Sequence, residues 1–532
     1  MSKIKPKWEH GAMHPDSENK VFCTAPWTHT YISPQSERRM CCASREDHMM
    51  QKQYIDASND ESTGMFRPVG TIADYKPVTL KEHWNSPYMM DIRKKLMAGD
   101  KIPQCDVCND SLLSNSTYRQ WFTGFLFNDK IDQCFEETDE NGRTTMEPIS
   151  FDYRYSNLCN FKCRMCGEQL SSSWETEKRK HDLWTPEQQP FMVPENKKVI
   201  EKFQKEVVEE EFWEYIKSGT VEELYWVGGE PLMYDIHWKS MDRLQTDNNL
   251  HKVHLRYNSN LSRVRYKDYY LYDWLPQAKD WTMCASIDGT GEIGEYIRTG
   301  LKYNQFVDNF REGIKIATHR RQMRLDYTLT LPGMFDVNNM QSLADELNVD
   351  ILAKTIFTFT PDIIMSPLAL PRKILDRLVD NIITTNNLGR ALCDVLTQLK
   401  NRPTMAEQWP DQYAEGMRKG KKRIRTLERI RNDKFTMQDI LSVDKEILDW
   451  VRNNGGTVFH AVGTCRMGND NKSVVNENLK VRGVENLRVI DASVMPQVTS
   501  ANTNAPSLMI GEKLSLIHIS EPTRLGMISY AV

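Results

Sequence analysis

The fold is decided by the stretch ISFDYRYSNLCNFKCRMC, residues 149–166. Its first part, Ile149–Tyr155, is a short aromatic-rich run that predicts a buried β-strand. Three cysteines, Cys159, Cys163 and Cys166, follow directly with the spacing C-x-x-x-C-x-x-C. Three thiolates in one loop can hold three irons of a 4Fe–4S cube, whereas structural zinc needs four ligands and no fourth lies close in sequence. The spacing therefore predicts an iron–sulfur cluster.

Outward from this stretch, apolar runs alternate with longer charged segments, which is the pattern of βα units around a parallel sheet. We predict an α/β fold in which six βα units form a partial (β/α)6 TIM-like barrel or an open sheet. Both arrangements place the site-forming loops at the carboxyl ends of the strands. After Ile149–Tyr155, the predicted strands are Glu223–Val227, Val253–Asn258, Trp281–Ile287, Arg324–Leu331 and Ile351–Thr358.

Length and composition divide the chain further. Its 532 residues are too many for one domain. Nine of the 12 cysteines precede residue 167, so the predicted metal chemistry lies in the first third of the chain. The net charge of −4 and the lack of long apolar runs predict a cytoplasmic protein with no membrane partner. The predicted domains are a cysteine-rich metal module at 1–148, the barrel at 149–370, a helical extension at 371–445, a C-terminal α+β fragment at 446–513 and an unstructured tail at 514–532.

The helical extension contains a strongly basic segment. Residues Arg418–Arg431, RKGKKRIRTLERIR, have eight basic side chains and one acidic side chain. Such a segment is either a solvated helix face or a contact for nucleic acid or substrate. Nucleic acid is therefore expected as a partner only through this helix.

The cysteine triad and the second predicted strand resemble the radical S-adenosylmethionine (SAM) superfamily over residues 149–360. The second strand runs into YWVGGEPLM, which matches the superfamily motif that receives the SAM amino group, and a carboxylate at a strand end suits an ammonium group. Polar residues at later strand ends suit the ribose or are ordinary turn residues. The cofactor-binding residues implied in this way are Gly228, Gly229, Glu230, Pro231, Asn258, Ser286 and Asp288.

The same resemblance implies an activity. The enzyme would cleave SAM reductively at a 4Fe–4S cluster, and the resulting 5′-deoxyadenosyl radical would abstract hydrogen from an unknown substrate, a peptide or a small molecule. The expected partners are SAM, that substrate and a reductant such as flavodoxin or ferredoxin.

Upstream, FCTAPWTHTYISPQSERRMCC and PQCDVC resemble the SPASM or twitch extensions of the same superfamily. Those extensions hold auxiliary iron–sulfur clusters, although they usually follow the barrel. The implied ligands of an auxiliary 4Fe–4S cluster are Cys23, Cys41 or Cys42, Cys105 and Cys108, and zinc would use the same four. Adjacent residues of an extended segment point in opposite directions, so only one of Cys41 and Cys42 is expected to bind the metal.

Residues 457–513 resemble another family, the C-terminal end of the glucose–methanol–choline (GMC) flavin oxidoreductases. The resemblance lies in TVFHAVGTCRMG and LRVIDASVMPQVTSANTNAPSLMIGEK. It implies that His460 is the base for an alcohol proton and that Asn504 is the second active-site residue. The stretch around Asp491 would approach the flavin.

The dinucleotide-binding motif of that family, G-x-G-x-x-G, does not occur near the N-terminus. The one match, Gly289-x-Gly291-x-x-Gly294, lies inside the barrel region. From the sequence we therefore expect no FAD and an inactive flavoenzyme fragment.

The last residues, LSLIHISEPTRLGMISYAV, resemble a translated sequencing adapter. A chimeric reading frame joined between residues 435 and 456 accounts for both resemblances. The leading hypothesis from the sequence is thus a radical SAM enzyme, an oxidoreductase or maturase, with a truncated flavoenzyme tail. The alternatives are a FAD-dependent GMC-type alcohol oxidoreductase and a metal-stabilised binding protein that uses the basic helix.

Overall fold

The structure, a computed structural model, describes residues 3–9, 11–44, 77–109, 117–186, 189–356, 364–442, 444, 462–497 and 506–512. Its contacts divide the chain into two compact units, Met1–Leu448 and Asp449–Val532. The first unit is a mixed α/β fold around one large sheet. Within the described part of the chain, no helix is both long and apolar enough to cross a membrane.

Twelve short strands occur in the described residues of the first unit. Their bounds are β1 Trp8–Glu9, β2 Ala12–Met13, β3 His29–Ile32, β4 Arg38–Arg39, β5 Ser150–Tyr153, β6 Glu223–Trp226, β7 His254–Ser259, β8 Arg265–Tyr266, β9 Tyr269–Tyr270, β10 Asp280–Ile287, β11 Met323–Leu329 and β12 Asp350–Thr355. Two pairs, β1 with β2 and β8 with β9, are separate hairpins. The other eight form one sheet in the order β12-β11-β10-β7-β6-β5-β3-β4, parallel except for the antiparallel β3 and β4 pair.

The prediction of an α/β fold with six parallel strands is confirmed, since all six predicted strands lie in this sheet. The two edge strands, β12 and β4, are not paired with each other in the described residues, so the sheet is open and is not a closed barrel. Strands β3 and β4 were not predicted. They are short and lie within the cysteine-rich stretch, where no alternation of apolar runs marks them.

The sheet has one polar face and one apolar face, because alternate residues of a strand point to opposite sides. In β7, Leu255 and Tyr257 are fully buried, whereas Arg256 and Asn258 point to the other side. The same division continues in the neighbouring strands through their parallel register. Polar residues that share the face of Arg256 are Glu223, Tyr225, Asp280, Ser286, Arg324, Asp326 and Lys354.

Helices connect the strands and cover the apolar face. Helix Tyr303–Ile316 buries Phe306, Val307 and Phe310 at helical spacing, which explains why this charged segment folds onto the sheet. The α-helices are Ala25–Thr28, Leu80–Trp84, Pro87–Ala98, Asp106–Asn109, Ile131–Glu136, Ser172–Lys180, Pro194–Phe203, Glu209–Ser218, Asp235–Thr246, Leu271–Trp274, Gly291–Ile297, Tyr303–Ile316, Val337–Leu347, Arg372–Thr385, Arg390–Lys400, Met405–Gln408, Tyr413–Arg431 and Met437–Leu441. The described residues also include two π-helical segments, Gln120–Leu126 and Gln204–Val208, and several short 3₁₀ turns.

In the described part of the second unit, residues 506–512 form a short helix, and residues 462–497 have little regular structure. Isolated bridges join Met467 to Val475 and Lys480 to Arg488, and a 3₁₀ turn covers Ala492–Val494. Asp491 begins that turn, and its carboxylate accepts a hydrogen bond of 2.7 Å from the backbone N–H of Ser493. The predicted tail at 514–532 lies outside the described residues.

Four histidines, His29, His83, His237 and His254, are buried among the described residues of the first unit. The His29 ring lies 2.6 Å from the hydroxyl of Ser150, which in turn donates to Glu223. Burial lowers the pKa of His83 and of His237 to about 3 and lowers the pKa of His29 well below its usual value. These imidazoles therefore stay neutral in the folded protein while those of the unfolded chain take up protons.

This difference predicts acid sensitivity. The unfolded chain binds protons on these imidazoles below pH ~6.5, so the free energy of unfolding falls as the pH decreases below that value, by about 1.4 kcal/mol per pH unit for each histidine. In His237→Gln, an amide replaces the ring that contacts Tyr257, and the slope between pH 6.5 and 4.5 should decrease by that amount. Urea titrations at several pH values measure it.

Candidate functional site

Three loops meet at the carboxyl ends of β5, β6 and β7. The loop after β6 carries Gly228, Gly229 and Glu230, and the backbone N–H of Glu230 donates to the carbonyl of Leu158, 2.7 Å away, just before the cysteine triad. A Cβ on Gly229 would lie 2.3 Å from the Leu158 oxygen, so only glycine fits there. The parallel sheet thus brings the predicted GGEP residues against the predicted cysteine loop.

Glu230 lies at the centre of this junction and is 1% exposed. Its carboxylate accepts hydrogen bonds from the Ser259 hydroxyl and from the backbone N–H of Asn260, both 2.7 Å long. Burial raises the pKa of Glu230 to about 7, although these hydrogen bonds oppose the shift. Its oxygens already bind the loop after β7, so Glu230 connects two of the three loops. Sequence reasoning missed Ser259 and Asn260.

The cysteine triad lies in the third loop. Burial raises the pKa of all three thiols, to about 12 for Cys163. The loop is held by the Trp174 indole, whose N–H donates to the Cys163 carbonyl at 2.7 Å. Across the described residues, no group of three or more Cys, His, Asp or Glu side chains is placed so that it could hold a metal ion.

The remaining predicted cofactor residues belong to two separate networks. Asn258 and Ser286 both contact Asp326, with Nδ2 and Oγ 2.8 and 3.5 Å from its Oδ2, and Lys354 also donates to it. Asp288 instead pairs with Arg298, 2.7 Å away. The sequence analysis missed Asp326, Lys354 and Arg298. The alternation of apolar and polar residues in β11, MRLDYTL, was the signal that could have revealed Asp326.

The close approach at Gly229 gives a direct test. Gly229→Ala should destabilise the first unit by about 1–3 kcal/mol, because the new methyl group overlaps the Leu158 carbonyl. Gly167→Ala is the matched control, since a Cβ at Gly167 meets nothing within 4 Å. Thermal unfolding of both variants measures the difference, and equal melting temperatures would contradict the described loop contact.

A second group of cysteines lines a cavity near the N-terminus. Cys23, Cys41, Cys105 and Cys108 all border it, together with Arg119 and other residues. Burial raises the pKa of Cys23 to about 11 and of Cys105 to about 12. Cys42 does not line this cavity; its thiol lies near Tyr118, Arg154 and Arg256. The structure therefore separates Cys41 from Cys42, as expected for adjacent residues.

The predicted flavoenzyme residues His460 and Asn504 lie outside the described residues. The described residues of the two sequence motifs that contain His460 and Asn504, however, are hydrogen-bonded to each other. The backbone N–H of Cys465 donates to the Ser493 carbonyl at 3.0 Å, and that of Met467 donates to the Val494 carbonyl at 2.9 Å. Two segments almost 30 residues apart in sequence thus form one local structure.

The glycine motif at residues 289–294 does not suit the diphosphate of a dinucleotide. It follows β10 and enters helix Gly291–Ile297, as the motif requires. Yet the N–H and hydroxyl of Thr290 both donate to the carboxylate of Asp336. An anionic side chain therefore already binds the loop amide and would repel a diphosphate.

The basic segment Arg418–Arg431 forms the greater part of helix Tyr413–Arg431. Met417, Ile424 and Leu427 form its buried side, and Arg431 pairs with Glu177 at 2.6 Å. Some of the basic residues are therefore structural, and the nucleic-acid contact stays a prediction.

A sequence profile for the family described as GMC oxidoreductase matches residues 390–511, less than a quarter of the chain. An alcohol dehydrogenase (acceptor) of Pseudomonas putida is 51% identical over 74 residues, 14% of this chain and 13% of that protein. An oxygen-dependent choline dehydrogenase of Citrobacter koseri is 41% identical over 107 residues, 20% of this chain and 19% of that protein. The chain thus spans less than a fifth of the length of these curated relatives.

A solved structure similar to this chain is that of Streptococcus suis SuiB bound to S-adenosylmethionine. Its TM-score is 0.29 at 12% identity, and the alignment covers 59% of this chain and 66% of SuiB. A similarity this low supports no conclusion about activity.

These comparisons correct two predictions. The GMC resemblance of the C-terminal region is confirmed, and the match begins at residue 390, before the predicted fragment. The leading hypothesis of SAM cleavage is contradicted, because the matching family and relatives are alcohol and choline oxidoreductases. The cofactor prediction of 4Fe–4S clusters and SAM without FAD is contradicted for the same reason, since that family uses a flavin. The short cysteine and glycine motifs led to the wrong hypothesis of activity.

Proposed function

We propose that this chain is a FAD-dependent oxidoreductase of the GMC type that oxidises the hydroxyl group of a small alcohol. In this proposal, residues 390–511 supply the side chains that act on the alcohol substrate. It is supported by the family match over those residues and by the identity of their relatives, an alcohol dehydrogenase and choline dehydrogenases.

The observation that carries the proposal is the pair of backbone hydrogen bonds between the two family motifs. Cys465 and Met467 follow the predicted base His460 by five and seven residues, and their backbone N–H groups bind the carbonyls of Ser493 and Val494. The second motif continues from there to Asn504. Two backbone hydrogen bonds fix the register of the described segments 462–467 and 491–497, which are close in sequence to His460 and Asn504.

The roles assigned to residues of this chain concern only the alcohol substrate. By the GMC resemblance, His460 takes the hydroxyl proton of the alcohol and Asn504 is the second polar residue of the site. FAD, when bound, supplies the acceptor for the hydride that leaves the alcohol carbon. The 289–294 motif is not assigned to FAD because Asp336 binds its loop.

A segment exchange tests the proposal. The C-terminal part of the Escherichia coli choline dehydrogenase, 43% identical over 89 residues, is replaced by the matching residues of this chain. The hybrid should keep choline-dependent reduction of an electron acceptor. His460→Ala in the hybrid should reduce kcat by roughly 100-fold or more, because a positioned general base contributes about that factor.

Lys472→Ala is the control in the same hybrid, since Lys472 lies in an exposed turn of the matched segment. It should leave kcat unchanged. A hybrid that folds and retains FAD but shows no alcohol-dependent turnover would falsify the proposal, as would equal rates for the His460 variant and the control. The full chain, incubated with FAD and choline or other small alcohols, is assayed in parallel for bound flavin and acceptor reduction.

A further inference from the structure

We propose that one face of helix Tyr413–Arg431 binds the phosphate backbone of duplex nucleic acid. The surface is a line of four basic residues, the outer basic stripe, which consists of Arg418, Lys422, Arg425 and Arg429. The stripe lies within the region that matches the oxidoreductase profile. It takes a different partner, however, and does not depend on the alcohol chemistry proposed above.

Helical periodicity places the four residues of the stripe on one line. They follow one another at intervals of four, three and four residues, and residues three or four apart on a helix are neighbours about 5–6 Å apart. The stripe therefore extends for about 16 Å along the helix axis. All four of its residues are exposed, whereas Met417, Ile424 and Leu427 are buried on the other side of the helix.

Three of the four charges have no acidic partner in the part of the chain that the structure describes. The side chains of Lys422, Arg425 and Arg429 make neither an ion pair nor a hydrogen bond there. Arg418 pairs with Glu415 at 2.6 Å, at the beginning of the stripe. The fold therefore leaves most of the positive charge of the stripe uncompensated, although the whole chain has a net charge of −4.

The repulsion between these cations also acts inside the helix. Lys421 is half-buried beside the stripe, and both its burial and the nearby Arg425 guanidinium lower its pKa. A phosphate group bound at the stripe stabilises the charged form of both side chains, because an opposite charge offsets the repulsion between like charges. The stripe thus favours an anionic partner.

The composition of this helix favours nucleic acid over a membrane or a protein partner. Its apolar side is already buried in the fold, so the helix has no apolar side to insert into a lipid surface. Its exposed residues include no large apolar side chain, so the helix also lacks the apolar centre of a typical protein interface. Three of the four residues of the stripe are arginines, whose planar guanidinium donates two parallel hydrogen bonds to a phosphate.

The same face favours a duplex over a single strand. Proteins that bind single strands stack the bases on aromatic side chains. The one aromatic residue of this helix, Tyr413, instead donates its hydroxyl to the Ala369 carbonyl at 2.8 Å. A duplex carries one phosphate charge for about 1.7 Å of its axis, so it presents several phosphates along the stripe. Phosphate contacts carry no sequence information, and binding should therefore be independent of the base sequence.

The test measures how binding depends on salt. The full chain is titrated into a fluorescein-labelled DNA duplex of about 20 base pairs and mixed sequence, and binding is followed by fluorescence anisotropy. Four phosphate contacts release their counterions, so the dissociation constant should rise about 150-fold between 50 and 200 mM salt. A second duplex of different sequence should give the same values.

A triple variant removes the three unpaired charges of the stripe, Lys422→Ala, Arg425→Ala and Arg429→Ala. One phosphate contact then remains, so binding at 50 mM salt should weaken strongly, and the same salt increase should raise the dissociation constant only about 3- to 4-fold. The three positions are exposed and alanine favours helix, so circular dichroism should show an unchanged fold.

The matched control removes three exposed lysines with the same four- and three-residue spacing from another helical segment, Lys198→Ala, Lys202→Ala and Lys205→Ala. It changes the net charge equally and should keep the affinity and the salt dependence of the unchanged chain. Failure of the unchanged chain to bind the duplex at 50 mM salt would overturn the proposal even without the variants. Equal salt dependence of the two triple variants would also overturn it, as would tighter binding to a single strand or to phosphatidylglycerol vesicles than to the duplex.

Discussion

The parallel register of one sheet is the constraint on which the first unit depends. Parallel strands end at the same edge, so the loops after β5, β6 and β7 must meet there even though they are far apart in sequence. A backbone hydrogen bond from Glu230 to Leu158 holds two of these loops together. The backbones lie so close there that no side chain fits at Gly229. Glu230 then binds the next loop through Ser259 and Asn260.

The same register creates the two faces of the sheet. The apolar face is covered by helices, and its burial supplies the main driving force for folding. The polar face holds charged networks such as Asn258, Asp326 and Lys354, which need partners because unpaired charges in a protein interior are costly. The apolar side chains and these charged networks thus lie on opposite sides of the same strands.

The second unit is held together, where the structure describes it, by individual backbone hydrogen bonds and not by a sheet. Its described residues have short bridges and no extended sheet, and the two family motifs are held together by individual backbone hydrogen bonds between 465–467 and 493–494. The match to the oxidoreductase profile extends beyond this unit, since it begins at residue 390 in the first unit.

The sequence by itself determined the six parallel strands, because their apolar runs and spacing are local properties of the chain, and it determined the GMC resemblance of the C-terminal motifs. It did not determine β3 and β4, since a strand of two to four residues is defined only by the neighbour with which it pairs. It placed Asn258, Ser286 and Asp288 in one predicted site, but the fold divides them between Asp326 and Arg298. Only the tertiary structure decides such partners, because they come from strands and helices distant in sequence and depend on which face each side chain takes.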